Sequence, residues 1–499
     1  MRIFRIAPII LLCSLAISAD AQMWKPRTED MIPMLRERIS PGERAHLDPA
    51  GLDSLIAWAM ENYNIPGVAS CVVKDGQVVW SGAYGWANIR DSVAVTDSTL
   101  FMLASVSKTL TSTAVMQLWE EGSFGLDDDI NDYLDFEVIH PWYPDSAITF
   151  RMLLTHTSGI RDNWGVLSSL YVLGDSPIPL GQFLEDYLVP GGAYYNSLLN
   201  FYSGNPPGSA YYYCNVAVAL AGYLVEAISG IPFHQYCEDS LFTPLGMDET
   251  AWFLAELDTS HVAMPYHWNG FRYVPYGHYG YPDYPDGQLR SSTAELSRFL
   301  IAMLQGGQID GVSILDSTTV DTITTVQVPS ADTGIIWHRF WEDSLNDWIW
   351  YHSGGDDGVK TEVLFCPAPD ENWGCMTLTN GESYSGVLDI QWELLYFAHD
   401  YVCPMVVDIQ LLSPTTARLS WNPVTGATQY NLYRSTASYF SPSSFPWQTV
   451  TAPTTHFDFT DGIGDENTNY YFVGRAENGV NISTDSNTVG DHDFGMEIP

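Results

Sequence analysis

The chain has 499 residues, 46% of them hydrophobic, and a formal net charge of -40. That length exceeds one ordinary core and predicts two or more domains, while the apolar share excludes a disordered or fibrous chain. The negative field repels phosphates, so nucleic acid and anionic membrane are not expected as partners.

In chain order, Arg2 and Arg5 precede an apolar run from Ile6 to Ile17, and Ala19-Asp20-Ala21 has the small-x-small shape of a signal-peptidase site. Residues 1–21 therefore read as a cleavable signal peptide and 22–47 as an N-terminal extension, which predicts a secreted, periplasmic or extracellular protein. No later stretch approaches the roughly 20 uninterrupted apolar residues of a membrane helix, so no span is expected.

Leu52, Leu55, Ile56, Trp58 and Ala59 recur near helical spacing until Pro66-Gly67 stops the run. The apolar stretches Val68–Val73 and Gln77–Trp80 flank Asp75-Gly76, a strong hairpin signal because such a turn needs positive φ. Residues 101–310 read as mainly helical and looped. Strand-like runs return at 334–341, 347–352, 359–366 and 375–379, and a helical run from Val387 to Tyr401 follows. Strands at both ends with helices between predict an α/β (α+β) domain over residues 48–402, its antiparallel sheet built from the two ends and an inserted, mainly helical part. Cys366 and Cys375 flank a turn-rich segment, which leaves a cross-hairpin disulfide open. Beyond Cys403-Pro404, short alternating segments at 407–412, 417–421, 430–434, 447–451 and 470–476 predict an all-β sandwich over 403–499.

Three short motifs carry chemistry. Ser105-Val106-Ser107-Lys108 opens a helical run, so Ser105 and Lys108, three apart, would project side by side near a helix N-terminus. A serine hydroxyl needs a base, and a desolvated lysine can be neutral enough to serve. By itself Ser-x-x-Lys more often describes a Ser-capped helix with its lysine in solvent. Here the lysine is one of only four in the chain and has no acidic neighbour in sequence. Tyr213-Cys214-Asn215 follows Pro206-Pro207-Gly208 and precedes an apolar run, which places a phenol and an amide at a loop-to-helix junction. Tyr194-Tyr195-Asn196 lacks both flanks and is set aside. His352-Ser353-Gly354-Gly355 ends a strand-like run, where small residues admit a substrate backbone and the Gly355 N–H could join that of Ser105 in an oxyanion hole. His278-Tyr279-Gly280 competes but has no strand behind it.

Together these motifs resemble the serine β-lactamase and D-alanyl-D-alanine peptidase superfamily, nearest the branch of class C β-lactamases, D-aminopeptidases and related esterases. Supporting stretches are Leu153–Gly159, Pro244–Thr250 and Asp286-Gly-Gln-Leu-Arg-Ser-Ser-Thr. The resemblance implies that Ser105 is acylated, that Lys108 and Tyr213 manage protons, and that Asn215, His352, Gly354 and Gly355 bind substrate, with Ser105 and Gly355 holding the oxyanion. Asn215 would also hold Lys108, and His156 would serve structure. No metal or organic cofactor is implied. Class C β-lactamases usually carry lysine where this chain has His352, so an ester or a D-amino-acid amide is the expected substrate ahead of efficient β-lactam hydrolysis. The alternatives are a cell-wall DD-peptidase and, from another class, a non-catalytic binding protein on the same scaffold. Ala417-Arg-Leu-Ser-Trp421, Tyr430–Arg434 and Asn469–Asn478 resemble a fibronectin type III domain, with a cell-wall or extracellular polymer as its candidate partner.

Overall fold

A computed structural model describes residues 49–367, 372–401 and, with short gaps, 407–491. The expected signal peptide and N-terminal extension lie outside the described residues.

The central sheet has seven strands in the order 338–342, 347–356, 359–366, 373–379, 67–74, 77–88 and 93–94, with every pairing antiparallel. Asp75 and Gly76, at φ 50° and 76°, make the tight turn between the two strands nearest the N-terminus. The last long strand, Trp373–Thr379, lies beside Gly67–Lys74, so the ends of the domain close the sheet as the sequence predicts.

Side chains alternate across this sheet. Ala69, Cys71, Val73, Met376 and Leu378 enter the main core with the inserted helices. On the other face the helix Tyr384–Asp400 lies on the sheet; its Gln391 hydrogen-bonds Thr377 and the Cys375 carbonyl. The helix Pro49–Tyr63 buries Leu52, Ile56 and Ala59, spaced for one face.

The inserted part is organised on the helices Ser107–Glu120 and Asn215–Ser229, each buried nearly all round. A helix in that position has no solvent face, so any polar side chain on it must find a partner inside. Lys108 is on such a helix.

Cys366 and Cys375 form no disulfide. The register sets Cys366 opposite Trp373 and Cys375 opposite Leu364, and Cys366 Sγ instead lies 3.3 Å from Asp347 Oδ2. The C-terminal region forms a three-stranded sheet, 407–413, 416–421 and 456–459, and a four-stranded one ordered 448–451, 429–435, 470–477 and 489–491. Trp421, Tyr430, Leu432, Phe459 and Phe472 share one small core. The strands at 456–459 and 489–491 are absent from the sequence reading.

Candidate active site

Ser105 sits in a single 3₁₀ turn, Ala104–Val106, just ahead of the helix Ser107–Glu120. Ala104 before it has φ +47°, a left-handed conformation that costs a non-glycine residue on the order of 1 kcal/mol and persists only where neighbours enforce it. They are visible: Thr361 Oγ1 donates to the Leu103 carbonyl at 2.6 Å, and Leu103 N donates to Leu289 O at 2.8 Å. Gly354 closes the clamp. A Cβ there would lie 2.1 Å from Thr361 Oγ1 and 2.3 Å from Leu103 O. Its glycine is thus needed for the strand to press on the nucleophile turn, a different reason from the predicted approach of substrate. At Gly355 a Cβ would meet only the Lys360 side chain, at 3.5 Å and beyond, so packing does not demand a glycine there as it does at Gly354.

Lys108 is fully buried. Its Nζ lies 2.9 Å from Ser105 Oγ, donates to the Asp286 carbonyl at 2.5 Å and stands 5.2 Å from the centre of the Tyr213 ring. Burial pushes its pKa down, and the negative charges of Asp286, Asp162, Asp283 and Asp356 oppose this without reversing it. Tyr213 neighbours Ser105, and burial drives its phenol far above the usual range. The serine hydroxyl therefore lies between an amine biased toward its neutral form and a phenol that keeps its proton. Such an arrangement can take the hydroxyl proton on the amine and supply another from the phenol.

His156 builds the Tyr213 side of the site. In a left-handed conformation itself, it accepts from Tyr212 N through its carbonyl at 2.7 Å and from Cys214 N through Nδ1 at 3.2 Å, with its ring 4.3 Å from that of Tyr213. Burial first, then the neighbouring His338, Lys108 and His352, pushes its pKa well down. Asp162, which the sequence reading missed, caps the helix that starts at Asn215: it accepts from the N–H groups of Asn215 at 2.9 Å and Val216 at 3.2 Å. It also accepts from Asn215 Nδ2 at 2.9 Å. The Asn215 amide is thus anchored on Asp162 in place of the expected grip on Lys108. The middle residue, Cys214, does not point idly away, since its Sγ contacts Asp162 and accepts from Ala217 N.

His352 is almost fully buried at 2% exposure, its ring 6.5 Å from Tyr213 and 5.7 Å from His338. Nδ1 lies 2.9 Å from the Ser353 carbonyl, which can only accept; Nδ1 therefore carries the proton and Nε2 a lone pair. No described residue donates to Nε2. Burial, with His338 and Lys108 nearby, keeps the ring neutral. Neither decoy supplies the catalytic groups: Asn196 caps its own turn at Leu198 and Leu199, and His278 precedes the two-residue strand Tyr279–Gly280, whose Tyr279 packs with Met102 and Ala104. No group of three or more described His, Cys, Asp or Glu residues has metal-binding geometry.

A family model described as beta-lactamase matches residues 52–397. Among curated relatives, the protein flp of Staphylococcus aureus (strain MRSA252) is 23% identical over 330 residues, covering 66% of this chain and 62% of that protein. Penicillin-binding protein 4* of Bacillus subtilis (strain 168) is 26% identical over 63% of this chain and 68% of its own. The chain thus spans about 62% of the length of the flp relatives it matches. The octameric penicillin-binding protein homologue from Pyrococcus abyssi superposes with a TM-score of 0.58 at 21% identity, over 86% of this chain and 96% of that one. The class C beta lactamase from Rhodobacter sphaeroides gives 0.54 at 19%, over 69% and 98%. Those two structures share the fold, and the family match extends across most of the chain: it belongs to the β-lactamase family.

Proposed function

We propose that this protein is a secreted serine hydrolase that cleaves an ester or a D-amino-acid amide through an acyl-Ser105 intermediate, with β-lactams as poorer substrates. The observation that carries the reading is the buried Lys108 amine 2.9 Å from Ser105 Oγ, with the Tyr213 ring centre 5.2 Å from that amine. Lys108 takes the Ser105 proton as the hydroxyl attacks the acyl carbon. Tyr213, held as a phenol, passes its proton to the departing alkoxide or amine and regains one from the Lys108 ammonium, which restores both groups, and the N–H groups of Ser105 and Gly355 receive the oxyanion. Water then repeats the sequence on the acyl-enzyme.

The substrate preference rests on His352. A neutral imidazole whose Nε2 can only accept a hydrogen bond suits a substrate N–H or O–H and gives a β-lactam carboxylate no cation. Secretion rests on the leader-like residues 1–21. The C-terminal strands, ordered three and four in two sheets around Trp421 and Tyr430, support a fibronectin type III-like module that contacts an extracellular polymer.

A fluorophosphonate probe tests the central claim. It should label the wild type at Ser105 and fail to label Ser105→Ala; labelling that survives the substitution defeats the reading, and no labelling of the wild type favours a binding protein. A fluorescent penicillin adduct that outlasts ester turnover by hours would favour the DD-peptidase alternative.

A further inference from the structure

Behind Lys108 lies a pair of buried acids to which the reaction above assigns no role. Asp283 and Asp286 bracket the one-turn helix Tyr284–Asp286 and are 5% and 6% exposed. That turn is fastened to the nucleophile helix twice, by Lys108 Nζ on the Asp286 carbonyl and by Thr111 Oγ1 on the Pro285 carbonyl at 2.6 Å. Three residues apart on a single 3₁₀ turn, the two side chains are neighbours. Asp286 Oδ2 receives no donor from any other described group.

Two neighbouring carboxylates out of water do not ionise together, so one keeps its proton. Burial pushes both acids up, and the charge of Asp283 raises Asp286 further, which agrees with one retained proton. The charged or titratable groups around them are Lys108 on the nucleophile helix, Asp162 at the cap of the Asn215 helix, Tyr213 and Cys214 before that helix, Tyr171 and Tyr281 on the loops beside it, and Asp356 on the sheet. Lys108 is the cation of that set and its Nζ bonds the backbone of Asp286 directly.

We propose that Asp283 and Asp286 share one proton and, through the single negative charge left on the pair, set the pH at which Lys108 gives up its own proton. They are positioning residues, acting through Lys108 and away from the substrate. The inference rests on Lys108 being the base for Ser105. A nearby negative charge favours the ammonium form, so removing it makes the amine available at lower pH.

The test is the pH dependence of kcat/KM for a short-chain p-nitrophenyl ester, which reports groups of the free enzyme. The double variant Asp283→Asn/Asp286→Asn removes the charge and should move the acidic limb down by about one pH unit. Each single variant leaves the charge on the remaining carboxyl and should move the limb by less than half as much. A limb unmoved in the folded double variant overturns the proposal, as do single shifts that add up to the double, which would mean two independent charges. Should the double variant not fold, infrared difference spectra carry the test: wild type minus Asp286→Asn at pH 7 should show one protonated-carboxyl band, and its absence overturns the proposal. Ser105→Ala serves as the control. If it still hydrolyses the ester, the acyl-enzyme reading falls; if it is inactive and the limb does not move, only the carboxyl pair falls.

Discussion

The two walls of the cleft are built to different rules. Around Ser105 the polar atoms answer one another: hydroxyl to amine at 2.9 Å, amine to the Asp286 carbonyl, with Asp162 gathering the Asn215 side chain and the N–H groups at the start of its helix. Around His352 the backbone is equally fixed, yet the ring nitrogen Nε2 has no donor among the described residues. Preorganised groups of the first kind lower the barrier of a chemical step without rearrangement, whereas a lone acceptor of the second kind selects what enters. Rate should therefore be concentrated in one wall and selectivity in the other.

The sharpest way to break that division is at Lys108. Lys108→Met keeps the apolar stem and deletes the base, so kcat for ester hydrolysis should fall about 1,000-fold with little change in KM. A fall below tenfold would remove rate from this wall and move the base elsewhere. On the opposite wall His352→Lys supplies the cation that class C enzymes carry. A charge-assisted bond is worth about 1.5 to 3 kcal/mol, so the ratio of kcat/KM for nitrocefin over that for a neutral ester should rise about ten- to a hundredfold. If the same substitution abolishes ester hydrolysis as completely as Lys108→Met does, the walls are not separable.

The contrast also explains what the sequence revealed and what it concealed. Ser105 with Lys108 and Tyr213 with Asn215 are spaced by helical geometry or by a junction, so local periodicity exposes them. The antiparallel sheet was legible for the same reason: Val68–Val73, Asp75-Gly76 and residues 359–366 carry alternation and turn chemistry in their own short windows. Asp162 lies in an irregular segment, and Asp286, which entered the sequence reading only as the start of a family-like stretch, ends a single turn; their contacts are with residues far along the chain, which no local pattern announces. In a chain of 60 acidic residues an aspartate is also the least conspicuous residue to find in a loop. Gly354 was marked for a true reason and a wrong neighbour, because the atoms that exclude a side chain there belong to Leu103 and Thr361. The seam is at Asn215, where the spacing gave the position and only the fold gave the partner.

The smallest effect expected lies beneath the His352 wall and bears on its stability. Glu362 faces Ser353 across the strand pair and is 2% exposed; its Oε2 accepts from Tyr384 Oη at 2.9 Å, while that hydroxyl also lies 2.6 Å from Ser353 Oγ. Burial raises this carboxyl from 4.5 to about 7, against the hydrogen bonds from Ser353 and Tyr384 that favour its charge. Below pH 4.5 folded and unfolded chains are both protonated at this position, and its contribution is fully present. As pH rises toward 7 the unfolded chain loses the proton first, so stability falls and then levels off, by on the order of 3 kcal/mol at most. Glu362→Gln keeps the shape and removes the titration. Thermal melts should therefore lose less on going from pH 5 to pH 8 in this variant than in the wild type, with ester kcat unchanged at pH 6. Parallel melting curves would mean that Glu362 ionises in the folded state as easily as in the unfolded chain, and that the wall behind His352 is wetter than its burial indicates.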